Sequence, residues 1–291
     1  MELFRALGTL IESPSAEHAR AAAAVGLPAV PVPAEHDRVV ARQRYPYASV
    51  YLGAEGMMGG EVLDRIGGFR RALRTPGREA DHLASLLGLL AALEPWRRDE
   101  PDPAGRALLG QARVTLVWEH LASWTGPYLA TFEGCGAAFY EAWASLLGEA
   151  LARLEHEMTF PDRLPAALRT APGLGDPRRD GGAAFIAALL APARSGMILL
   201  RDDLVRLGNE GGLVCRAGER RYVLNSFLAQ DPGKTLEWLA GHSRRWRARV
   251  AAAGPAPIAK WWSRRAAATS RLLSELAAEA RVPVTFAAPS P

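Results

Sequence analysis

Apolar residues recur three and four positions apart over most of this chain, and this spacing constrains the fold more than any other feature. A side chain returns to the same face of an α-helix after three or four residues, whereas in a β-strand it returns after two. Long alternations of Val, Ile or Thr with polar residues are absent from the sequence. The pattern therefore predicts an all-α protein.

The length and composition predict a soluble globular protein with one large core or two modest ones. The chain has 291 residues, and 49% of them are apolar. A stretch rich in Pro, Gly, Arg and Asp at about 160–182 is the strongest internal boundary signal. We therefore expect a helical core at 1–160, a connection at 161–182 and a helical C-terminal region at 183–291.

Capping and breaking residues suggest where the individual helices begin and end. Ser13 or Ser15 is expected to cap the second of two short helices within 2–25. Pro46 and the glycines after it predict a loop or partly extended segment over 46–60. Further helices are predicted at about 34–43, 60–73, 78–94 and 102–123, within 128–158 with a break near 134–136, and at 182–191, from 201, and at 218–230, 232–252 and 257–280.

The charge pattern does not single out nucleic acid as a partner. All but two of the 35 basic residues are arginines, yet the formal net charge is only +4 and acidic residues are interspersed almost everywhere. Basic residues concentrate at 244–249 and 260–265, beside Trp246, Trp261 and Trp262. Binding to nucleic acid or an acidic surface through these clusters is an alternative, but a basic rim around an apolar helix face is the favoured interpretation.

Cysteine usage and hydropathy fit a cytoplasmic protein without membrane insertion. Cys135 and Cys215 lie far apart in the sequence without a CxxC motif, so neither a disulfide scaffold nor a zinc site is implied. The N-terminal residues lack the pattern of a secretory signal, and no run reaches the roughly 18 apolar residues needed to span a bilayer.

The segment Glu79–Ala80–Asp81–His82 is the first candidate for chemistry, because it leads into a leucine-rich helix. Acidic residues in a first helical turn are explained equally well by the helix dipole. A functional interpretation is that Asp81 and His82 face a groove, where the carboxylate binds an arginine of a peptide. The ExxH spacing also suggests a metal site, but no second ExxH accompanies it, so we expect no metal.

Motifs for catalysis are missing. A Gly-x-Ser-x-Gly elbow and a phosphate-binding loop are both absent, since the segment Gly53–Ala54–Glu55–Gly56 lacks the lysine and hydroxyl of a P-loop. We therefore expect no catalytic residues, no enzymatic activity and no cofactor.

Four short pieces stand in a fixed order along the first half of the chain, and each charged residue in them leads an apolar helical run. They are Pro46-Tyr-Ala-Ser-Val-Tyr-Leu52, Glu79-Ala-Asp-His-Leu83, Glu119-His-Leu-Ala-Ser-Trp124 and Phe139-Tyr140. Together they resemble the TorD/DmsD/NarJ family of cytoplasmic chaperones, which attend molybdopterin enzymes that often carry twin-arginine export signals. The resemblance covers about residues 40–150, and the residues after about 190 resemble the C-terminal part of longer relatives.

The chain departs from the family pattern at two positions. Ala80 stands where the family motif often has proline or an acidic residue, and Tyr47 stands where some members have tryptophan. Both departures bear on which peptide would be recognised.

This resemblance implies a TorD-like helical bundle with an additional helical C-terminal region. It also implies a non-enzymatic chaperone that binds the leader or twin-arginine signal peptide of an apo-form molybdopterin oxidoreductase catalytic subunit, and that aids folding, cofactor insertion and export proofreading. The expected oligomeric state is a monomer or a domain-swapped dimer. The peptide-binding residues that it implies are Tyr47, Ser49, Tyr51, Leu52, Glu79, Asp81, His82, His120 and Trp124.

A third hypothesis is an enzyme such as a nucleotide hydrolase, because weak association with GTP has been suggested within this family. The missing phosphate loop makes it the least favoured of the three.

Overall fold

A computed structural model describes residues 2–28, 30–75, 77 and 79–281. Most of these residues are helical. The described part of the chain contains no strand, and its single antiparallel β-bridge joins Tyr47 and His82. The prediction of an all-α fold is therefore confirmed.

The described residues of the N-terminal half form helices at most, but not all, of the predicted positions. They are α1 (Glu2–Thr9), α2 (Ala16–Ala24), α3 (Pro33–His36), α4 (Ala48–Leu52), α5 (Gly60–Ala72), α6 (Leu83–Asp99), α7 (Pro103–Thr115), α8 (Ala122–Ala130) and α9 (Ala138–His156). Wider π-helical turns follow α3 at Asp37–Ala41 and α7 at Leu116–Leu121. Ser15 caps α2 as expected, because its hydroxyl accepts a hydrogen bond from the Glu17 amide at 3.3 Å.

The C-terminal half is helical as well. Its helices are α10 (Ala166–Thr170), α11 (Pro177–Asp180), α12 (Gly182–Leu189), α13 (Pro192–Ser195), α14 (Arg201–Gly211), α15 (Arg220–Gln230), α16 (Pro232–Ala251) and α17 (Ala256–Ala280). The longest two, α16 and α17, pack against each other as a helical hairpin.

Helix α6 occupies the centre of the N-terminal half. Its leucines are buried against α1 on one side and α7 on the other. Helix α9 packs on α1, and the Trp143 indole donates a hydrogen bond to the Leu7 carbonyl at 3.0 Å. This packing leaves the loop that precedes α6 at the edge of the bundle.

The hairpin of α16 and α17 lies against α8. The Trp262 indole donates to the Ser123 carbonyl at 3.1 Å. A Cβ on Gly126 would lie 2.7 Å from the Ala253 carbonyl oxygen, so only glycine allows the α16–α17 turn to come this close. The predicted division of the chain at 161–182 stays a prediction.

Three local expectations were wrong. Residues 46–60 include the short helix α4, whose residues are all buried. Helix α6 starts at Leu83 rather than near 78, because residues 79–81 form a turn with Glu79 at a φ of 46° and His82 is held extended by backbone pairing opposite Tyr47. Helix α8 runs through Pro127 instead of breaking there, and the Ser123 carbonyl, to which Pro127 has no amide to donate, accepts from the Trp262 indole instead.

Candidate functional site

The first two motif pieces lie side by side, joined by backbone and side-chain hydrogen bonds. The Ala48 amide donates to the Asp81 carbonyl at 3.0 Å, and the Leu83 amide donates to the Pro46 carbonyl at 2.8 Å. The Ser49 hydroxyl and amide both donate to Asp81 Oδ2, at 2.5 and 3.0 Å. These bonds fasten α4 to the residues before α6.

Tyr47, Glu79 and His82 form the outer edge of this junction. The Tyr47 hydroxyl donates to Glu79 Oε1 at 3.0 Å, and its ring meets the His82 ring edge-on, with centroids 4.8 Å apart. Burial and the Glu79 carboxylate together raise the pKa of Tyr47 to about 12. The Tyr47 hydroxyl is therefore uncharged at neutral pH.

His82 caps α6, since its Nδ1 accepts a hydrogen bond from the Ala84 amide at 3.1 Å. Burial lowers the pKa of His82, and the Glu79 and Asp81 carboxylates oppose this shift only partly. The imidazole is thus held with Nδ1 unprotonated and Nε2 as its donor.

The other aromatic motif residues form a buried stack behind α4. The Tyr51 ring lies parallel to the Trp124 ring at 5.2 Å between centroids, and Tyr128 packs on both. The Trp124 indole donates to the His120 carbonyl at 2.8 Å. Tyr51, Trp124 and Tyr128 are fully enclosed, so burial holds the pKa of Tyr51 well above its ordinary value.

His120 is buried near the outer edge of this stack. Its ring lies 4.9 Å from the Phe69 ring. Burial, with a smaller effect from the Arg65 guanidinium, lowers the pKa of His120 to about 4. The side chain is therefore neutral under ordinary conditions and packs as an aromatic ring.

Two cavities open beside this junction. The first, which we call the tyrosine cavity, has a volume of about 560 Å³ and is lined by residues of the turn after α1, the π-helical turn after α3 and the motif, including Ile11, Val40, Tyr45, Tyr47, Glu79 and His82. The second, the methionine cavity, has a volume of about 280 Å³ and is lined by residues that include Leu52, Met57, Val62, Arg65 and Pro172. Met58 lines both cavities.

Met57 and Met58 are among the most exposed large apolar residues described, at 63% and 62% of their full accessibility. They follow the glycine-rich turn after α4 and stand on the ridge between the two cavities. An exposed pair of flexible thioethers is typical of surfaces that adapt to varied peptides.

The structure divides the predicted site residues into two groups. Tyr47, Glu79 and His82 line the tyrosine cavity and Leu52 lines the methionine cavity. The other predicted residues are buried and line neither cavity: Ser49, Tyr51, Asp81, His120 and Trp124.

Asp81 is the clearest departure from expectation. Its side chain is only 3% exposed and is bonded to Ser49, so it does not address an arginine from the rim of a groove. The exposed carboxylate at this rim belongs to Glu79, whose Oε1 accepts a hydrogen bond from the Tyr47 hydroxyl. Asp81 therefore fastens α4 to the residues before α6 instead of lining a groove.

Sequence reasoning missed Met57 and Met58 as site residues. Two adjacent methionines inside a glycine-rich loop are the signal that could have revealed them, since an apolar pair has no core to join there. It also missed Arg44, which is buried, donates to the Thr131 and Val39 carbonyls, and lies 5.4 Å above the Phe132 ring.

Several other functional classes can be compared with the described residues. No group of three or more His, Cys, Asp or Glu side chains within them is arranged to hold a metal ion. Trp246 and Trp262 are buried, so neither offers a free face for stacking on a base. Among the helices of the described ranges, none combines the length and apolar composition that crossing a bilayer requires.

No family model, curated protein or solved structure matches this chain.

Proposed function

We propose that this protein is a non-enzymatic chaperone that binds the leader or twin-arginine signal peptide of a molybdopterin oxidoreductase precursor. The observation that carries the proposal is the exposed Met57–Met58 ridge between two cavities that are lined by four of the predicted site residues. The resemblance of the motif pieces to the TorD/DmsD/NarJ family supplies the class of client.

A signal peptide combines a basic start with an apolar helical stretch, and the surface offers a partner for each part. Met57 and Met58, with the half-buried rings of Tyr45 and Tyr47, present apolar atoms for the helix, as in other helix-in-groove complexes. Glu79 presents a carboxylate for an arginine, by charge-assisted hydrogen bonds. Methionine side chains repack at low cost, so one surface accommodates apolar stretches of different sequence.

The expected affinity suits a chaperone that must release its client. Burying roughly 600 Å² of apolar surface at about 25 cal/mol per Å² contributes about 15 kcal/mol before costs. Association and ordering costs consume much of that contribution and leave an affinity of roughly micromolar or somewhat better. Such a complex hides the signal and still dissociates within the lifetime of a precursor.

The direct test is fluorescence anisotropy with a labelled synthetic peptide that has two adjacent arginines followed by a Leu/Ala stretch. We expect binding by the full chain, and a loss of about tenfold or more when Met57 and Met58 are both replaced by Ser. Glu79→Gln should weaken this peptide but leave a version with glutamines in place of the arginines unaffected.

The matched control replaces another exposed apolar residue, Val214→Ser, which lies away from both cavities and is 67% exposed. It should bind the peptide like the parent protein. Equal binding by the Met57→Ser/Met58→Ser variant, or no binding by the parent, would remove this surface from the proposal.

A second candidate function is the binding of an anionic partner on α16 and α17. Arg244, Arg247 and Arg271 line one cavity of about 540 Å³, in which Glu275 is the single acidic residue. Binding to a single-stranded oligonucleotide that falls steeply with salt and with Arg244→Gln/Arg247→Gln would favour this function.

A further inference from the structure

A second groove lies on another part of the molecule, where α8, α9 and the turn between α16 and α17 meet. Its volume is about 590 Å³. None of its lining residues belongs to the tyrosine or methionine cavity. The peptide surface described above therefore does not account for it.

The floor of the groove is made of small side chains. On α9, Ala144, Gly148 and Ala152 follow one another at intervals of four residues and so lie along one face of the helix. Gly126 and Ala130 of α8 and the Ala252–Gly254 turn complete the floor. A Cβ on Gly148 would meet nothing closer than Leu129 Cδ1 at 3.8 Å, so the space above it is open.

Rows of small residues at this spacing allow the backbone of another helix to approach closely. The core-facing side of α9 is already occupied, since Phe139, Trp143, Leu147 and Leu151 pack inward. The face with Ala144, Gly148 and Ala152 lies beside this core-facing side, and it runs from the buried Ala144 to the exposed Ala152. The groove therefore has room for a helix that the described residues do not supply.

The rim of the groove is acidic. Arg249 is the single basic residue that lines it, whereas four glutamates do so: Glu133, Glu141, Glu149 and Glu155. Arg249 pairs with Glu133 at 3.2 Å. Glu141 accepts from the Gly136 amide at 2.9 Å and Glu149 from the Ser145 hydroxyl at 3.3 Å, and no ion pair within the described residues involves either of them.

An ordinary solvent-facing helix side also carries glutamates, and this explanation has to be compared with binding. A solvated face normally mixes both charge signs, often paired four residues apart. Here the acidic residues surround an apolar floor and have one basic residue among them. Apolar floor and acidic rim together match a helix with an apolar stripe between basic flanks.

We propose that this groove binds a cationic amphipathic helix of a partner protein, with its apolar stripe on the floor and its Lys or Arg side chains against Glu141, Glu149 and Glu155. The proposal does not depend on the chaperone function. A second copy of this chain is a different occupant, and the experiment below separates the two.

The probe is a labelled synthetic helix of Leu and Lys, with leucines on one face and lysines on the flanks. We expect it to bind the full chain, and we expect a Leu/Glu peptide of the same pattern to bind at least about tenfold more weakly. Glu141→Arg with Glu149→Arg should weaken the Leu/Lys peptide by at least about tenfold. Gly148→Leu, which fills the floor, should weaken it without changing the net charge.

The matched control reverses two exposed acidic residues that line no part of this groove, Asp64→Arg with Asp162→Arg. It makes the same change in net charge, and it should keep the Leu/Lys affinity within about twofold. Circular dichroism establishes that each variant is folded. Binding by the Met57→Ser/Met58→Ser variant should be unchanged, which separates this groove from the peptide surface.

Three outcomes would overturn the proposal. An equal loss of affinity for the Leu/Lys peptide in the control variant would show that only the net charge of the protein matters. Equal binding of the Leu/Glu peptide would leave the acidic rim without a role. A dimer of the parent chain in sedimentation velocity that the Gly148→Leu variant abolishes would assign the groove to a second copy.

Discussion

The Ser49 hydroxyl lies 2.5 Å from Asp81 Oδ2, and the Ser49 amide lies 3.0 Å from the same oxygen. Both residues are buried, and the Ser49 hydroxyl in turn accepts from the Gly59 amide at 3.1 Å. One carboxylate thus holds α4, the residues before α6 and the end of the loop 53–59, which contains Met57 and Met58 and which we call the methionine loop, in a single arrangement. The Asp81 side chain thus fixes the position of the tyrosine cavity relative to the methionine cavity, although it lines neither of them.

This relationship predicts that Asp81 acts on stability and on peptide binding only through the fold. Asp81→Ala leaves two buried donors without an acceptor, and we expect a loss of about 2–4 kcal/mol in the free energy of unfolding. Urea denaturation measures it. Glu79→Ala, which removes an exposed carboxylate at the same junction, should change stability by less than about 1 kcal/mol.

A variant Asp81→Ala with parental stability and no affinity for the signal peptide would contradict this assignment. It would return Asp81 to the binding role that the motif resemblance implies.

The methionine loop is also held by Gly56, whose φ of 65° favours glycine. A Cβ at this position would lie 2.8 Å from Ala191 Cα. Gly56→Ala should therefore destabilise the protein by about 2 kcal/mol and weaken peptide binding, because the Met57–Met58 ridge shifts.

The control is Gly88→Ala in the middle of α6, where a Cβ meets no atom within 4 Å. This change should raise stability by up to about 1 kcal/mol, since alanine favours a helix interior more than glycine does. Thermal unfolding of both variants measures the difference, and equal melting temperatures would contradict the close approach at Gly56.

The helical pattern was readable from the sequence because it depends on local periodicity, and α5, α16 and α17 lie within a few residues of their predicted positions. The burial of Asp81 was not readable, because it depends on Ser49, which is 32 residues away. Arg44 is hidden for the same reason, since the carbonyl of Thr131 that it binds is supplied by a distant turn. The two cavities result from packing between helices, which no local pattern encodes.

His120 should make the protein sensitive to acid. Its pKa is about 4 in the folded protein, whereas an unfolded histidine has a pKa of about 6.5. Between these values the unfolded chain binds a proton that the folded chain does not, so stability falls as the pH decreases from about 6.5 to about 4. His120→Gln should lessen this fall by about 2 kcal/mol, as measured by urea denaturation at several pH values.

A parental acid profile in the His120→Gln variant would contradict burial of a neutral imidazole. His156→Gln, which replaces an exposed histidine at the end of α9, is the matched control.

Glu155 should act in the opposite direction, and its effect tests the acidic groove without any ligand. Burial raises the pKa of Glu155 to about 7, well above the value of about 4.3 for a solvated glutamate. Between these values the folded protein holds a proton that the unfolded chain has lost, so stability falls as the pH rises through this range. Glu155→Gln should remove about 1 kcal/mol of that fall, because the side chain is partly exposed and solvent screens the effect.

A cationic helix in the groove should lower the pKa of Glu155 again, so bound Leu/Lys peptide and the Glu155→Gln substitution should flatten the same part of the pH profile. If neither the bound peptide nor the Glu155→Gln substitution changes the pH profile, Glu155 is solvated and the groove offers its ligand no desolvated carboxylate.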